Sequence, residues 1–238
     1  ERAREASDDD DDDDDELNRT ASQLAERAMA AYNLPVSSMP QLDPHGNDLN
    51  IPLRERKLRK FLECFAEEAA VKTVESNAAV LKDFEDIRKR YSTVFRESGA
   101  ELKGRAHKRW AFEKAAGGGG GGEEEDEDDD DDDDDGSSGA TFCLQLERHT
   151  HLITPKPGLP LDGSLGVTPP RTQDLAVVYQ AEGGEISGMW IMQDKAGLGA
   201  DAEVTREAIE ETDVFKACRR LIERLSGGAR FGVQFVAS

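Results

Sequence analysis

The sequence has no surplus of positive charge, few cysteines and no long apolar run, and each lack removes a class of function. Two acidic tracts, Asp8 to Asp15 and Glu123 to Asp135, hold 8 and 13 acids and account for the whole net charge of −21. The rest of the chain sets 30 acids against 30 Lys and Arg. A neutral remainder has no stock of cations to neutralise phosphates, so no nucleic-acid partner is expected. The 3 cysteines, Cys64, Cys143 and Cys218, are scattered and form no C-x-x-C pair. That usage suits buried thiols in a reducing, intracellular setting and offers neither a disulfide framework nor a zinc motif. A cytoplasmic location is expected, with an organelle left open because the sequence begins at Glu1 in place of Met. No stretch approaches the roughly 18 apolar residues of a membrane span, so no membrane partner is expected. The glycine run at 117–122 lacks the Lys and Ser/Thr of a phosphate loop, and no cofactor is expected.

What remains is a readable succession of elements. Residues 1–16 carry no apolar payload and read as a disordered acidic tail. The spacing predicts a first helix over 17–33, a proline-bearing loop over 34–52, and a second helix over 53–66 on the stripe Leu58, Phe61, Leu62, Phe65. A strand is expected at 69–77 and a third helix at 83–98, opened by Asp83 with Asp86 three residues on and stopped by Gly99. From there strands follow at 101–112 and 141–153, separated by the Gly-rich and acidic stretch 117–139, whose composition is that of a linker. In the first of them Ala106, Trp110 and Phe112 are expected on one side, and His107 and Arg109 on the other. A long loop at 154–173 leads to a hairpin turning on Gly183-Gly184. A last amphipathic helix at 203–225, with Val214, Cys218, Leu221, Ile222 and Leu225 in a stripe, ends at Gly227-Gly228 and leaves a tail.

Helices first and a curved antiparallel sheet afterwards is an α+β pattern. The division expected is an acidic tail at 1–16, an α+β body at 17–195 with an insertion at 117–139, and a C-terminal helix and tail at 196–238.

Three stretches carry a family likeness: "FLECFAEEAAVKTVES" (61–76), "FEDIRKRYSTVF" (84–95) and "VVYQAEGGEISGMWIM" (177–192). In order and in apolar pattern they resemble the SnoaL-like and ketosteroid-isomerase-like proteins of the nuclear transport factor 2-like superfamily, over roughly residues 20–195 without the inserts. The resemblance implies a cone: a strongly bent sheet wrapping helices around an apolar cavity, with a small apolar or amphipathic ligand. In enzymatic relatives a carboxylate abstracts a proton beside a carbonyl while donors hold the developing oxyanion, chemistry that an apolar site favours. Aligned without gaps, Thr73 falls where isomerases carry that carboxylate, and Ala28 about where they carry the oxyanion-binding tyrosine. Both departures argue against steroid isomerisation. Glu75, two residues on, could serve with a shift of register.

The candidate site follows from strand alternation. Gln145, Glu147 and His149 share one face of the strand at 141–153, as a polar patch that register sends either into the cavity or outside. His149 and His151 have metal-ligand spacing but no third ligand in sequence, so no metal is expected. The catalytic candidates are Glu75 and His149, and the binding candidates are Tyr91, Trp110, Gln145, Glu147, Tyr179 and Trp190. Three functions fit: a small-molecule-binding protein, an acid–base enzyme of the same fold (isomerase, dehydratase or hydrolase), or a protein-interaction module. The hairpin adds one question. Leu175, Val177 and Tyr179 alternate with Ala176 and Val178, and Ile186, Trp190 and Met192 with Met189 and Ile191, so both of its faces are apolar. An outward apolar face asks for a cover. Either the helix at 203–225 folds back over it, or a homodimer forms through the outer sheet face.

Overall fold

In the strand that contains residues 142–147, alternate residues are buried on both sides of the sheet, and this double burial organises the molecule. The computed structural model describes residues 19–36, 42–74, 80–96, 100–114, 139–153, 171–197, 204–229 and 231–237. Its elements are α1 Ala21–Tyr32, α2 Asn50–Leu62, β1 Phe65–Thr73, α3 Phe84–Arg96, β2 Ala100–Lys114, β3 Thr141–Ile153, β4 Arg171–Glu182, β5 Glu185–Gln193, α4 Arg206–Glu210, α5 Asp213–Leu225 and β6 Phe231–Ala237. Six strands form one mixed sheet in the order β1-β5-β4-β3-β2-β6.

Local chemistry sets the element ends. Thr20 caps α1 through the N–H of Gln23, while the Gln23 side chain returns to the Thr20 N–H, a reciprocal capping box. The first turn of α1 is tied to the sheet by Ala21 N–H donating to Thr141 Oγ1 at 2.8 Å. α1 buries Ala21, Leu24, Ala25, Ala28, Met29, Ala31 and Tyr32, and its small residues let it lie close on the strands. At Gly104 of β2 a Cβ would stand 2.6 Å from Met29 Sδ and 3.2 Å from the Tyr32 ring. Asn33 then clamps that glycine, donating from Nδ2 to Gly104 O at 2.6 Å and accepting the Gly104 N–H at 2.8 Å. The β4–β5 hairpin turns on Gly183 and Gly184, with φ of 58° and 77°, the positive pair a two-residue turn requires.

The structure answers the question of the second face. Inside, α1, α2 and α3 cover Leu175, Val177, Tyr179, Ala181, Ile186 and Met189. Outside, α4 and α5 cover Trp110, Phe112, Phe142, Leu144, Leu146, Ala176, Val178 and Met192 with Ile209, Phe215, Cys218, Leu221 and Ile222. The apolar residues that suggested a homodimer through the outer face are therefore covered within the chain, by its own C-terminal helices.

Several expectations are corrected. The second helix stops at Leu62 and the strand begins at Phe65, earlier than the expected 69, because that segment pairs with β5 from Phe65↔Ile186 onward. That pairing is parallel, so the sheet is mixed and not wholly antiparallel. The final helix is split into α4 and α5, each capped by a threonine, Thr205 and Thr212. The expected C-terminal tail contains β6, which pairs antiparallel with β2 from Lys108↔Ala237 to Lys114↔Phe231. Two register shifts exchange faces. β2 slips between Ala106 and Lys108, so Ala106 parts from Trp110. β5 slips beside Gln180 and Ala181, which puts Ile186 in the inner cluster, apart from Trp190. A one-residue insertion in one strand sends all later side chains to the other face.

Candidate functional site

β3 supplies the site, because after its outer-facing Phe142, Leu144 and Leu146 the intervening positions turn polar: Gln145, Glu147 and His149. All three point to the helices. Gln145 is fully buried and Glu147 is 4% exposed, deep for a carboxylate. Burial of that kind is tolerated only with partners. Glu147 has three. Its Oε1 accepts from Gln145 Nε2 at 2.9 Å and from the Tyr179 hydroxyl at 2.7 Å, and its Oε2 lies 2.6 Å from His149 Nε2.

Behind Gln145 stands Arg109 of β2, directly opposite it in the ladder. Arg109 Nε donates to Gln145 Oε1 at 2.8 Å, and its Nη1 donates to Glu26 Oε2 of α1 at 3.2 Å. The result is one hydrogen-bonded line from the exposed Glu26 through Arg109, Gln145 and Glu147 to His149. The His149 ring meets the Tyr32 ring edge-on at 4.9 Å between centroids.

In front of the pair lies a small cavity of about 40 Å³. Its walls include Ala28, Met29 and Tyr32 of α1, Phe61 of α2, Tyr91 of α3, and Tyr179, Met189 and Ile191 of the hairpin, with Glu147 and His149 at one end. The Lys57 ammonium lies over the Tyr32 and Phe95 rings, at 5.4 and 5.2 Å. Burial, and after it the charge of Glu147, holds the Tyr179 and Tyr32 phenols well above their ordinary pKa; for Tyr91 burial is again the main cause. All three stay protonated, and Tyr179 already donates its one O–H to Glu147. A larger groove of about 810 Å³ lies between α2 and α3, lined by Leu58, Leu62, Phe65 and Phe84 with Arg56, Arg59 and Arg88 at its rim. Its charged side chains point to solvent, Arg59 being 72% exposed, so no buried polar group is aimed into it. The polar chemistry belongs to the inner cavity.

The sequence candidates divide accordingly. Glu147, His149, Tyr91 and Tyr179 come together at the cavity, and Gln145 supports Glu147 from behind. Trp110 and Trp190 do not reach it. Both lie in the outer cluster, where the β2 and β5 register shifts put them. The Trp190 ring covers Gly188, whose place would not admit even a Cβ. Glu75 lies outside the described residues. Ala28 lines the cavity, and Thr73 ends β1 opposite Ile191. Sequence reasoning missed Arg109, Met29 and Tyr32. The last was within reach, since Tyr32 stands one helical turn after Ala28 and so shares its face. Among the described residues no group of three or more His, Cys, Asp or Glu is placed to hold a metal ion. No helix among them is long and apolar enough to cross a membrane.

No family model and no curated protein matches the chain. Among solved structures it is similar to an NTF2-like protein of unknown function from Exiguobacterium, at 9% identity over 72% of this chain and 98% of that one, with a TM-score of 0.38. It is also similar to a ketosteroid isomerase-like protein from Erwinia carotovora, at 7% identity over 76% and 98%, TM-score 0.40. An LEH-like epoxide hydrolase from M. tuberculosis is similar at 9% identity over 87% and 96%, TM-score 0.39.

Proposed function

We propose that the protein binds a small, largely apolar molecule in the inner cavity, with the Glu147–His149 pair and Tyr179 as its polar end. One observation carries this reading: a buried carboxylate, an imidazole and a phenol converge on a space otherwise walled by apolar side chains. A few fixed polar groups in an apolar enclosure are the usual make-up of a small-molecule site. A space of about 40 Å³ holds little more than water, so a ligand must displace part of the wall. Met29 and Met189 are the adaptable parts, since an unbranched thioether repacks at low cost. Phe61 and Tyr91, with ring centroids 4.4 Å apart, line the cavity from α2 and α3, the two helices that also border the larger groove.

A native mass spectrum of the purified protein tests the reading. A retained small molecule is expected in the wild type and its loss in Ala28→Leu, which fills the cavity, while Arg56→Ala in the groove keeps it. A bare wild-type mass, with no saturable uptake of phenol as a probe, would overturn it.

The 2.6 Å contact between Glu147 and His149 favours a second reading, acid–base catalysis in the same cavity. An imidazole backed by a carboxylate is a common general base. Deuterium uptake from D2O into small cyclic ketones, followed by NMR, is expected to be faster with wild type than with His149→Gln; equal rates exclude this reading.

A further inference from the structure

We propose that Arg109 and Gln145 are positioning residues that fix the proton of the Glu147–His149 contact on His149 Nε2. The ring atom then left for a bound molecule is the bare Nδ1, and the fitting ligand is a weakly acidic O–H or N–H compound. The ligand class rests on the cavity reading above; the proton placement does not.

A side-chain amide has two orientations, and only its surroundings choose between them. Arg109 chooses here. A guanidinium only donates, so the Gln145 atom 2.8 Å from Arg109 Nε is the carbonyl oxygen. Arg109 is held in turn by Glu26 from the other side. The Gln145 NH2 therefore faces Glu147 and donates to Oε1, where the Tyr179 hydroxyl donates as well. With two donors on it, Oε1 has no place for a proton of its own. The remaining contact, Oε2 to Nε2 at 2.6 Å, contains one proton. Two donors on the partner oxygen and a guanidinium one amide away favour negative charge on Glu147, and thus the proton on the ring nitrogen. Both Glu147 oxygens are then occupied by protein donors, so Glu147 has little left to offer a ligand. His149 Nδ1 is an acceptor, which selects a molecule that brings a hydrogen. If that hydrogen is transferred, the ligand becomes an anion beside an imidazolium that Glu147 stabilises.

The line fails in a defined way when Arg109 is lost. The Gln145 amide is free to turn its oxygen to Glu147, and two acceptors then face each other. A proton on Glu147 relieves that contact, and His149 loses its fixed tautomer.

The test uses the full-length, ligand-free chain with 15N-labelled histidine. Long-range 1H–15N correlation spectra distinguish the two imidazole tautomers, and His149 is identified by the signals that vanish in His149→Gln. The wild type is expected to show a single Nε2–H tautomer. Arg109→Met and Gln145→Leu, checked for folding by their amide spectra, are expected to show a mixture. A proton on Nδ1 in the wild type overturns the proposal whether or not the variants fold; so do folded variants that keep the wild-type pattern. The ligand class is tested with phenol and its methyl ether anisole, which differ in the one hydrogen. Phenol is expected to bind about tenfold more tightly, the order of one hydrogen bond, and equal binding overturns the class. A bare wild-type mass and no saturable uptake of phenol, together with the Nε2–H tautomer, would remove the cavity reading and leave the proton placement standing.

Discussion

The two faces of the sheet are both covered by helices and built for different ends. The outer face is dry: Trp110, Phe112, Phe142, Leu144 and Leu146 pack under α4 and α5, and the Trp110 indole N–H is satisfied by Glu210 at 2.8 Å. The inner face carries Arg109, Gln145 and Glu147 into the same depth. Apolar packing stabilises without orientation, whereas buried polar groups cost free energy unless each finds its partner. A chain that needed only stability could have made both faces alike. The polar inner face is thus the part that stability does not explain, and the small cavity sits there.

The largest effect expected from breaking this contrast is on the outer face. Trp110 is fully buried, with Phe215 at 5.1 Å and Phe235 at 5.2 Å between ring centroids. Trp110→Ala is expected to cost about 3–5 kcal/mol in urea unfolding, the range for large core truncations. At low denaturant it should leave the His149 tautomer unchanged; a changed tautomer would mean that the faces are not independent. A smaller effect is expected inside. Gly104→Ala drives a methyl against Met29 and Tyr32, where α1 touches β2. The expected loss is about 1–3 kcal/mol, as for overpacking. Unlike Trp110→Ala it should perturb the cavity, read as a shift of the Tyr32 and His149 ring resonances. Unmoved rings would show that α1 does not transmit the strain.

The smallest difference concerns the thiols. Burial pushes Cys143 on the inner face and Cys218 on the outer face both up to about 12, from an ordinary 9.0. Neither is expected to react with Ellman's reagent at pH 8 in the folded protein, and earlier labelling of Cys143 would reveal that the inner face opens. The same shifts give a pH dependence. Above 9.0 the unfolded chain releases thiol protons that the folded chain keeps, so stability falls as pH rises from 9.0 towards about 12. Each thiol is expected to contribute a loss of about 1.4 kcal/mol between pH 8 and pH 10, and chemical unfolding at those two pH values measures it.

Much of the site was legible in β3, where the residues at 145, 147 and 149 fall on one face by strand period alone. Tyr91 and Tyr179 were legible through the apolar pattern around them. Trp110 and Trp190 were misplaced for one reason, an extra residue in a strand. Nothing local marks the slip beside His107 or the one beside Ser187, since each is paid back only by pairing with a distant strand. β6 escaped notice for a similar reason. "FGVQFVA" begins two residues after Gly227-Gly228 and lacks strict alternation, so it becomes a strand only where β2 offers an edge.

By itself the sequence determined the type of most elements, the Gly183-Gly184 turn, the small-residue face of α1 and the apolar stripe of α5. These depend on φ/ψ preferences and on periods of 2 and 3.6, which a short segment carries within itself. Only the tertiary structure decided that β1 runs parallel to β5, that α4 and α5 roof the outer face, that Glu147, His149, Tyr32 and Tyr91 meet, and that Arg109 is linked to them through Gln145. Those residues come from four separate elements. Their meeting depends on register and on which face is covered, and both are settled by partners far along the chain.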